Sequence, residues 1–271
     1  MSGHTPDHDR GLAFDLATLN RRRVLTLFGG AGLATLVGCG TSETPAASTP
    51  TTSSAATSSS AADATACVDP IPEETAGPYP GDGSNGPNVL TESGIVRGDI
   101  RSSFGTSSGT AQGVPLTITL TLQKDCAPYS GAAVYLWHCD RDGNYSMYSK
   151  GVTDQNYLRG VQQTDPSGKV VFTSIFPAAY SGRWPHVHFE VYPDLNEATS
   201  AGNPVTTTQL AFPQDVCETV YATDGYSASV RNLAATSLDR DMVFRDGHDT
   251  QLATVTGSVS AGYTASLVVA V

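Results

Sequence analysis

Pro185-His186-Val187-His188-Phe189-Glu190-Val191-Tyr192 alternates along its whole length. Successive side chains of an extended chain point to opposite faces, so Val187, Phe189 and Val191 fall on one side and His186, His188 and Glu190 on the other. The run is expected to be a strand with an apolar face to bury and two imidazoles side by side on the other face. Two readings of the imidazoles stay open at this point. They could simply hydrogen-bond in a half-buried strand, or they could grip a metal.

The same period of two recurs in two further stretches. Leu116, Ile118, Leu120 and Leu122 alternate with threonines and Gln123, and Tyr263, Ala265, Leu267, Val269 and Val271 alternate near the last residue. Gly-rich turns separate short runs throughout, which points to an all-β domain built as a β-sandwich. The best helical stretch is 213–222, where Val216 and Val220 are four apart, and it is brief. No internal repeat or coiled coil is visible.

The neighbours of the histidine pair favour the metal reading. Tyr180 offers an oxygen that a hard cation can deprotonate, and Arg183, which a nearby metal would repel, makes sense there if it has an anion to hold. Upstream, Val134-Tyr135-Leu136-Trp137-His138-Cys139-Asp140-Arg141-Asp142-Gly143-Asn144-Tyr145-Ser146 runs from an alternating strand into an Asp-Gly turn, with Tyr145 just beyond it. Two phenolate oxygens and two imidazole nitrogens suit highly charged iron better than zinc, so the implied metal is ferric iron.

At these residues the chain resembles the intradiol catechol dioxygenases. Trp137 followed eight residues later by Tyr145, Arg159-Gly160, Thr164-Asp165-Pro166-Ser167-Gly168 and the stretch 177–189 each resemble a segment of that family, as does Glu74-Thr75-Ala76-Gly77-Pro78-Tyr79. The likeness spans about 67 to 220. It implies Tyr145 and His188 as equatorial ligands, Tyr180 and His186 as axial ones, and Arg183 as the residue that steadies the oxidised substrate. It also implies Gly77, Pro78, Tyr79 and Gln209 as substrate-binding positions, Fe(3+) as cofactor, and a small aromatic diol with dioxygen as partners. In the implied reaction the diol displaces Tyr180, whose freed phenolate takes a proton, and the ring opens between its hydroxyl-bearing carbons to a muconate-type diacid.

Two departures from the intracellular members stand out. Only Ser181-Gly182 separates Tyr180 from Arg183, which resembles an exported subgroup and implies an open mouth over the site. The chain also lacks the long N-terminal helical region through which catechol-type dimers form, which makes a monomer plausible.

Asn20-Arg21-Arg22-Arg23-Val24-Leu25 carries the twin arginines of a Tat export signal, and the apolar run 24–37 is too short to span a bilayer as a mature helix. Leu36-Val37-Gly38-Cys39 resembles a bacterial lipobox, so 1–38 is expected to be a lipoprotein signal and Cys39 the acylated residue. Residues 39–66, almost all Ser, Thr, Ala and Pro, cannot bury enough apolar surface to order themselves and are expected to be a tether. One catalytic domain, 67–271, follows. Export through Tat, to the cell surface or beyond, is the expected location, with the membrane met only through the lipid.

Without Cys39, four cysteines remain in an exported chain, Cys67, Cys126, Cys139 and Cys217, which fits two disulfides. Of three pairings the favoured one is Cys67 with Cys126, pinning the domain's start, and Cys139 with Cys217, bracing the Tyr145 turn. Beyond residue 38 there are 11 Lys and Arg against 23 Asp and Glu, a balance of -12, and no basic patch invites nucleic acid. His248 is expected in an exposed turn, and His138 reads either as a satisfied strand histidine or as a donor behind a ligand. Two rivals to an oxygenase can be set against these residues. One is a secreted, non-catalytic β-sandwich, a carbohydrate-binding or adhesion module that retains a metal site and has eleven tyrosines for stacking on sugars; the other is a zinc or copper hydrolase, for which no H-E-x-x-H spacing is present.

Overall fold

The computed structural model describes residues 66–271, so the export signal, Cys39 and nearly all of the tether lie outside the described residues. Among the described residues nine strands form two sheets. They are β1 (Pro115–Lys124), β2 (Ala127–Pro128), β3 (Ala133–Trp137), β4 (Arg159–Gln163), β5 (Lys169–Ile175), β6 (His186–Tyr192), β7 (Thr206–Ala211), β8 (Thr254–Ser258) and β9 (Gly262–Ala270). One sheet runs β2-β1-β9-β8 with β5 also on β1, and the other runs β4-β3-β6-β7. Three short helices, α1 (Leu195–Thr199), α2 (Gln214–Tyr221) and α3 (Ser227–Ala234), complete the fold.

The alternating runs do what their pattern requires. Leu116, Ile118, Leu120 and Leu122 are buried, and their register partners Tyr263, Ala265, Leu267 and Val269 on β9 are buried beside them. Phe172 and Val170 of β5 pair with Ile118 and Leu120 from the other side. This face packs against Val134, Leu136, Val187, Phe189, Val191 and Leu210 of the second sheet, forming the main core. At about 25 cal/mol per Å² of apolar surface, that burial is what holds the two sheets together.

The second sheet is buried on its other face as well, which alternation alone does not predict for a sandwich. Every residue of β6 is buried. The face that carries His186, His188 and Glu190 is covered by Ala76, Tyr79, Val89, Leu90 and Ile95 and by Ala198 of α1, which form a second cluster with Tyr135, Trp137 and Tyr145. The site therefore lies in a wrapped layer, between a sheet and its loops.

The expected cysteine pairing is half right. Cys67 and Cys126 form a disulfide, with Cα atoms 4.8 Å apart, that ties the start of the described chain to the turn between β1 and β2. That turn has Asp125 and Cys126 both at positive φ, as a two-residue hairpin connection requires. Cys139 and Cys217 do not pair; both are buried free thiols. The Cys139 thiol donates to the Ala178 carbonyl instead, and Cys217 on α2 packs in the inter-sheet core. The expected brace for the Tyr145 turn is supplied instead by Asp140. Its carboxylate accepts from the backbone N–H groups of Asp142 and Asn144 at 3.0 and 2.9 Å and from the Tyr157 hydroxyl at 3.0 Å.

Candidate metal and active site

Side chains from three stretches of chain converge on one point. β6 supplies His186 and His188, whose Nε2 atoms stand 3.1 Å apart because residues two apart on a strand share a face. Tyr180 arrives from the segment between β5 and β6, with its hydroxyl 3.2 Å from His186 Nε2. Tyr145, beyond the Asp140 turn, brings its hydroxyl 3.5 Å from that of Tyr180. All four predicted ligands are thus brought together, and all are buried. Tyr180 is the most exposed of them at 7 %.

The helices explain how the Tyr180 segment is held. Tyr221 of α2 donates to the Pro177 carbonyl and Tyr226, just ahead of α3, donates to that of Phe176. Ser229 and Asn232 of α3 bond the Ala179 N–H and carbonyl at 3.1 and 2.8 Å. Sequence periodicity finds α2 and misses α1 and α3, of which α3 fixes one of the proposed ligands.

The protonation of the cluster suits a cation. His186 Nδ1 bonds the Trp184 carbonyl. A carbonyl only accepts, so the proton lies on Nδ1 and Nε2 presents a bare lone pair to the convergence point. Burial, reinforced by the Arg183 charge, drives His186 well below the usual histidine range; burial and then His186 and Arg183 do the same to His188. Burial, with Tyr180 second, raises Tyr145 well above the ordinary phenol. Two imidazoles and two phenols gathered away from solvent form a nitrogen and oxygen donor set of the kind a hard cation can bind. Among the described residues no group of three or more His, Cys, Asp or Glu converges, so phenols are needed to complete the set.

The predicted substrate-side residues surround this point. Gly77, at φ +69, passes so close to His188 that a Cβ there would lie 3.3 Å from Cε1. The Tyr79 ring packs on Tyr145 with centroids 4.9 Å apart. Pro78 is half-buried, and its carbonyl accepts from Asn85. Gln209 lies opposite His188 in register, donates to the Thr75 carbonyl at 2.8 Å and accepts from Arg183 Nη2 at 2.7 Å. The Arg183 Nε donates to Asp241 at 2.9 Å, an ion pair buried on both sides. Asp241 escapes the sequence reading altogether, and so do the contacts of two residues it does name: the Trp137 ring stacked on His188 at 5.0 Å and the five hydrogen bonds of Arg159. Asp241 stands 58 residues from Arg183 with no local signal to connect them. His138 is a satisfied histidine, bonded to the Cys139 carbonyl and the Ser174 hydroxyl. His248 is half-buried in a loop and bonds the Phe244 carbonyl.

A family model described as Dioxygenase matches residues 85–241, more than half of the chain, and that stretch contains Tyr145, Tyr180, Arg183, His186, His188 and Gln209. The chain belongs to the intradiol dioxygenase family. The matched stretch begins and ends later than the 67 to 220 expected from sequence, and its last residue is Asp241. A solved structure similar to this chain is the intradiol ring-cleavage dioxygenase from Tetranychus urticae, with a TM-score of 0.55 and 25 % identity over 66 % of this chain and 87 % of that one. Among curated proteins, chlorocatechol 1,2-dioxygenase of Rhodococcus opacus is 42 % identical over 53 residues, 20 % of this chain and 21 % of that protein. Catechol 1,2-dioxygenase 2 of Acinetobacter lwoffii is 38 % identical over 58 residues, 21 % of each. The alignments therefore span about a fifth of the length of these curated relatives.

Proposed function

We propose that this chain is a ferric-iron intradiol dioxygenase that opens catechol-type rings with dioxygen, outside the cytoplasm, to give muconate-type diacids. The observation that carries the reading is the convergence of two phenols and two neutral imidazoles, with Nε2 atoms 3.1 Å apart, beside a buried arginine. Tyr145, Tyr180, His186 and His188 would hold Fe(3+), which when bound would act as a Lewis acid and draw electron density from an aromatic diol so that the ring could react with dioxygen. The curated relatives named for catechol and chlorocatechol support this substrate class.

The protein's own groups divide the remaining work. Tyr180, the least buried of the four at 7 %, would be a phenolate once it had given its proton up to bind the metal, and that phenolate would take a proton from an entering diol. Arg183, fixed by Asp241 and Gln209, supplies a charge to negative density building on the ring, and a dry pocket makes that charge count. Gly77, Pro78 and Tyr79 form the wall beside His188 and Tyr145 and keep water out.

Iron analysis and absorbance test the metal. The purified protein is expected to be red to burgundy from phenolate-to-iron charge transfer, with about one iron per chain. Tyr145→Phe and His188→Ala are expected to bleach it. Colourless protein filled with zinc and lacking iron would overturn the assignment. The location outside the cytoplasm rests on the twin arginines and on Cys39. Cys39→Ser is expected to release the protein from the membrane fraction, and unchanged retention would count against a lipid anchor.

A further inference from the structure

Arg159 opens β4 and stands in register with Trp137, which pairs with His188, which pairs with Gln209. The four residues form one rank across the sheet on the face that carries the site. Arg159 is 1 % exposed. Its guanidinium has five N–H groups, and five bonds account for them: Nε to Ser146 Oγ at 3.1 Å, Nη1 to the Pro80 carbonyl at 2.8 Å and Tyr135 Oη at 3.0 Å, and Nη2 to the carbonyls of Tyr79 at 2.9 Å and Ser146 at 3.0 Å. Every acceptor is uncharged. A cation buried this deeply without a carboxylate among its acceptors is costly, and charge-assisted bonds to well-placed oxygens offset that cost.

The acceptors belong to three separate pieces of chain, and two of them are parts of the site. Tyr79 and Pro80 continue the rim that carries Gly77 against His188, and the Tyr79 ring rests on Tyr145. Ser146 is the residue after Tyr145. Tyr135 on β3 is the fixed support, and its hydroxyl also donates to the Pro80 carbonyl at 2.6 Å. Close packing reinforces the arrangement: a Cβ on Gly81 would lie 2.8 Å from Arg159 Nη1, and Tyr148, whose ring faces the guanidinium, accepts the Gly81 N–H at 2.8 Å.

We propose that Arg159 is a positioning residue that locks the Tyr79–Pro80 rim and the Tyr145 turn to the sheet as one unit, and so sets the aim of the Tyr145 phenol and the wall of the substrate pocket together. It touches neither substrate nor metal. The fork is needed because a lysine has three donors radiating from one atom and cannot span three segments. The inference rests on the dioxygenase reading for its catalytic consequence and on geometry alone for the coupling.

Two measurements on the full chain test it separately. In metal-free protein, amide hydrogen exchange of Arg159→Lys is expected to speed up tenfold or more in both 79–83 and 144–149, while β1 and β9 stay at the wild-type rate. In iron-loaded protein the same variant is expected to show a shifted charge-transfer band and roughly 100-fold lower kcat with a smaller change in KM, as small misplacements of a catalytic group do. Tyr135→Phe removes one acceptor and keeps the ring, and is expected to move both readouts the same way by a lesser amount; it carries the test if Arg159→Lys does not fold. Wild-type exchange in both segments, or faster exchange everywhere at once, would overturn the proposal. Wild-type protein without iron or turnover would defeat the dioxygenase reading instead, and the exchange result would still decide the coupling.

Discussion

Asp241 accepts the Arg183 Nε at 2.9 Å and the Trp184 N–H at 2.6 Å through the same buried oxygen, Oδ2, so one carboxylate fixes both the arginine beside the site and the backbone leading into His186. Its other oxygen takes the Val243 N–H at 2.9 Å. Asp241→Ala would leave the Arg183 charge buried without this partner and is expected to cost about 3–5 kcal/mol in urea unfolding. Asp241→Asn is the sharper variant, since its amide NH2 cannot satisfy the donors on both sides. We expect it to fold, to keep iron and colour, and to lose most of its turnover. Wild-type kcat in Asp241→Asn would show that the pair serves the fold alone.

Gly77 makes the second prediction. Its φ of +69 costs an alanine about 1–2 kcal/mol, and the added Cβ would press on His188 Cε1 from 3.3 Å. Gly77→Ala should therefore lower stability modestly and weaken iron binding by about 10- to 100-fold, the range found when the groups that orient a ligand are disturbed. Competition with a chelator, run beside thermal unfolding, separates the two effects. Iron affinity equal to wild type would mean that the rim does not bear on His188.

Glu74 gives the chain a pH dependence of its own. Burial, with Asp246 next, raises its carboxyl from 4.5 to about 7, against a smaller opposing pull from Arg183. A carboxyl raised on folding holds its proton more tightly in the native state, so stability falls as pH rises from about 4.5 to about 7 and stays lower above that. Glu74→Gln should flatten this part of the stability curve and leave the protein more stable than wild type at pH 8. Parallel curves for the two proteins would show that Glu74 titrates normally.

How much of this was legible in the sequence follows from the range of the forces involved. Period-two runs place β1, β6 and β9 and the inward rows Leu116 to Leu122 and Tyr263 to Val269, because the sandwich core rewards alternation directly. His186 and His188 announce themselves for the same reason. What could not be read is whatever joins distant segments through polar atoms: Arg183 with Asp241, the Arg159 fork, and the Ser229 and Asn232 bonds that hold Ala179. The Cys139 and Cys217 expectation failed in the same way, since an even number of cysteines does not say which of them face one another.

That correction is itself testable. Alkylation of denatured, unreduced protein, followed by peptide mapping, is expected to label Cys139 and Cys217 and to leave Cys67 and Cys126 unlabelled. Recovery of a Cys139–Cys217 peptide pair would reinstate the bridge.

The most direct test of the central claim is the product formed from catechol under isotopically labelled dioxygen by iron-replete protein. A small panel of protocatechuate, hydroxyquinol and substituted catechols would widen the search for the preferred ring. The account predicts cleavage between the two hydroxyl-bearing carbons, a muconate-type diacid, and both labelled oxygen atoms in it. Cleavage outside the diol, or an iron-replete protein that leaves every catechol intact, would contradict it.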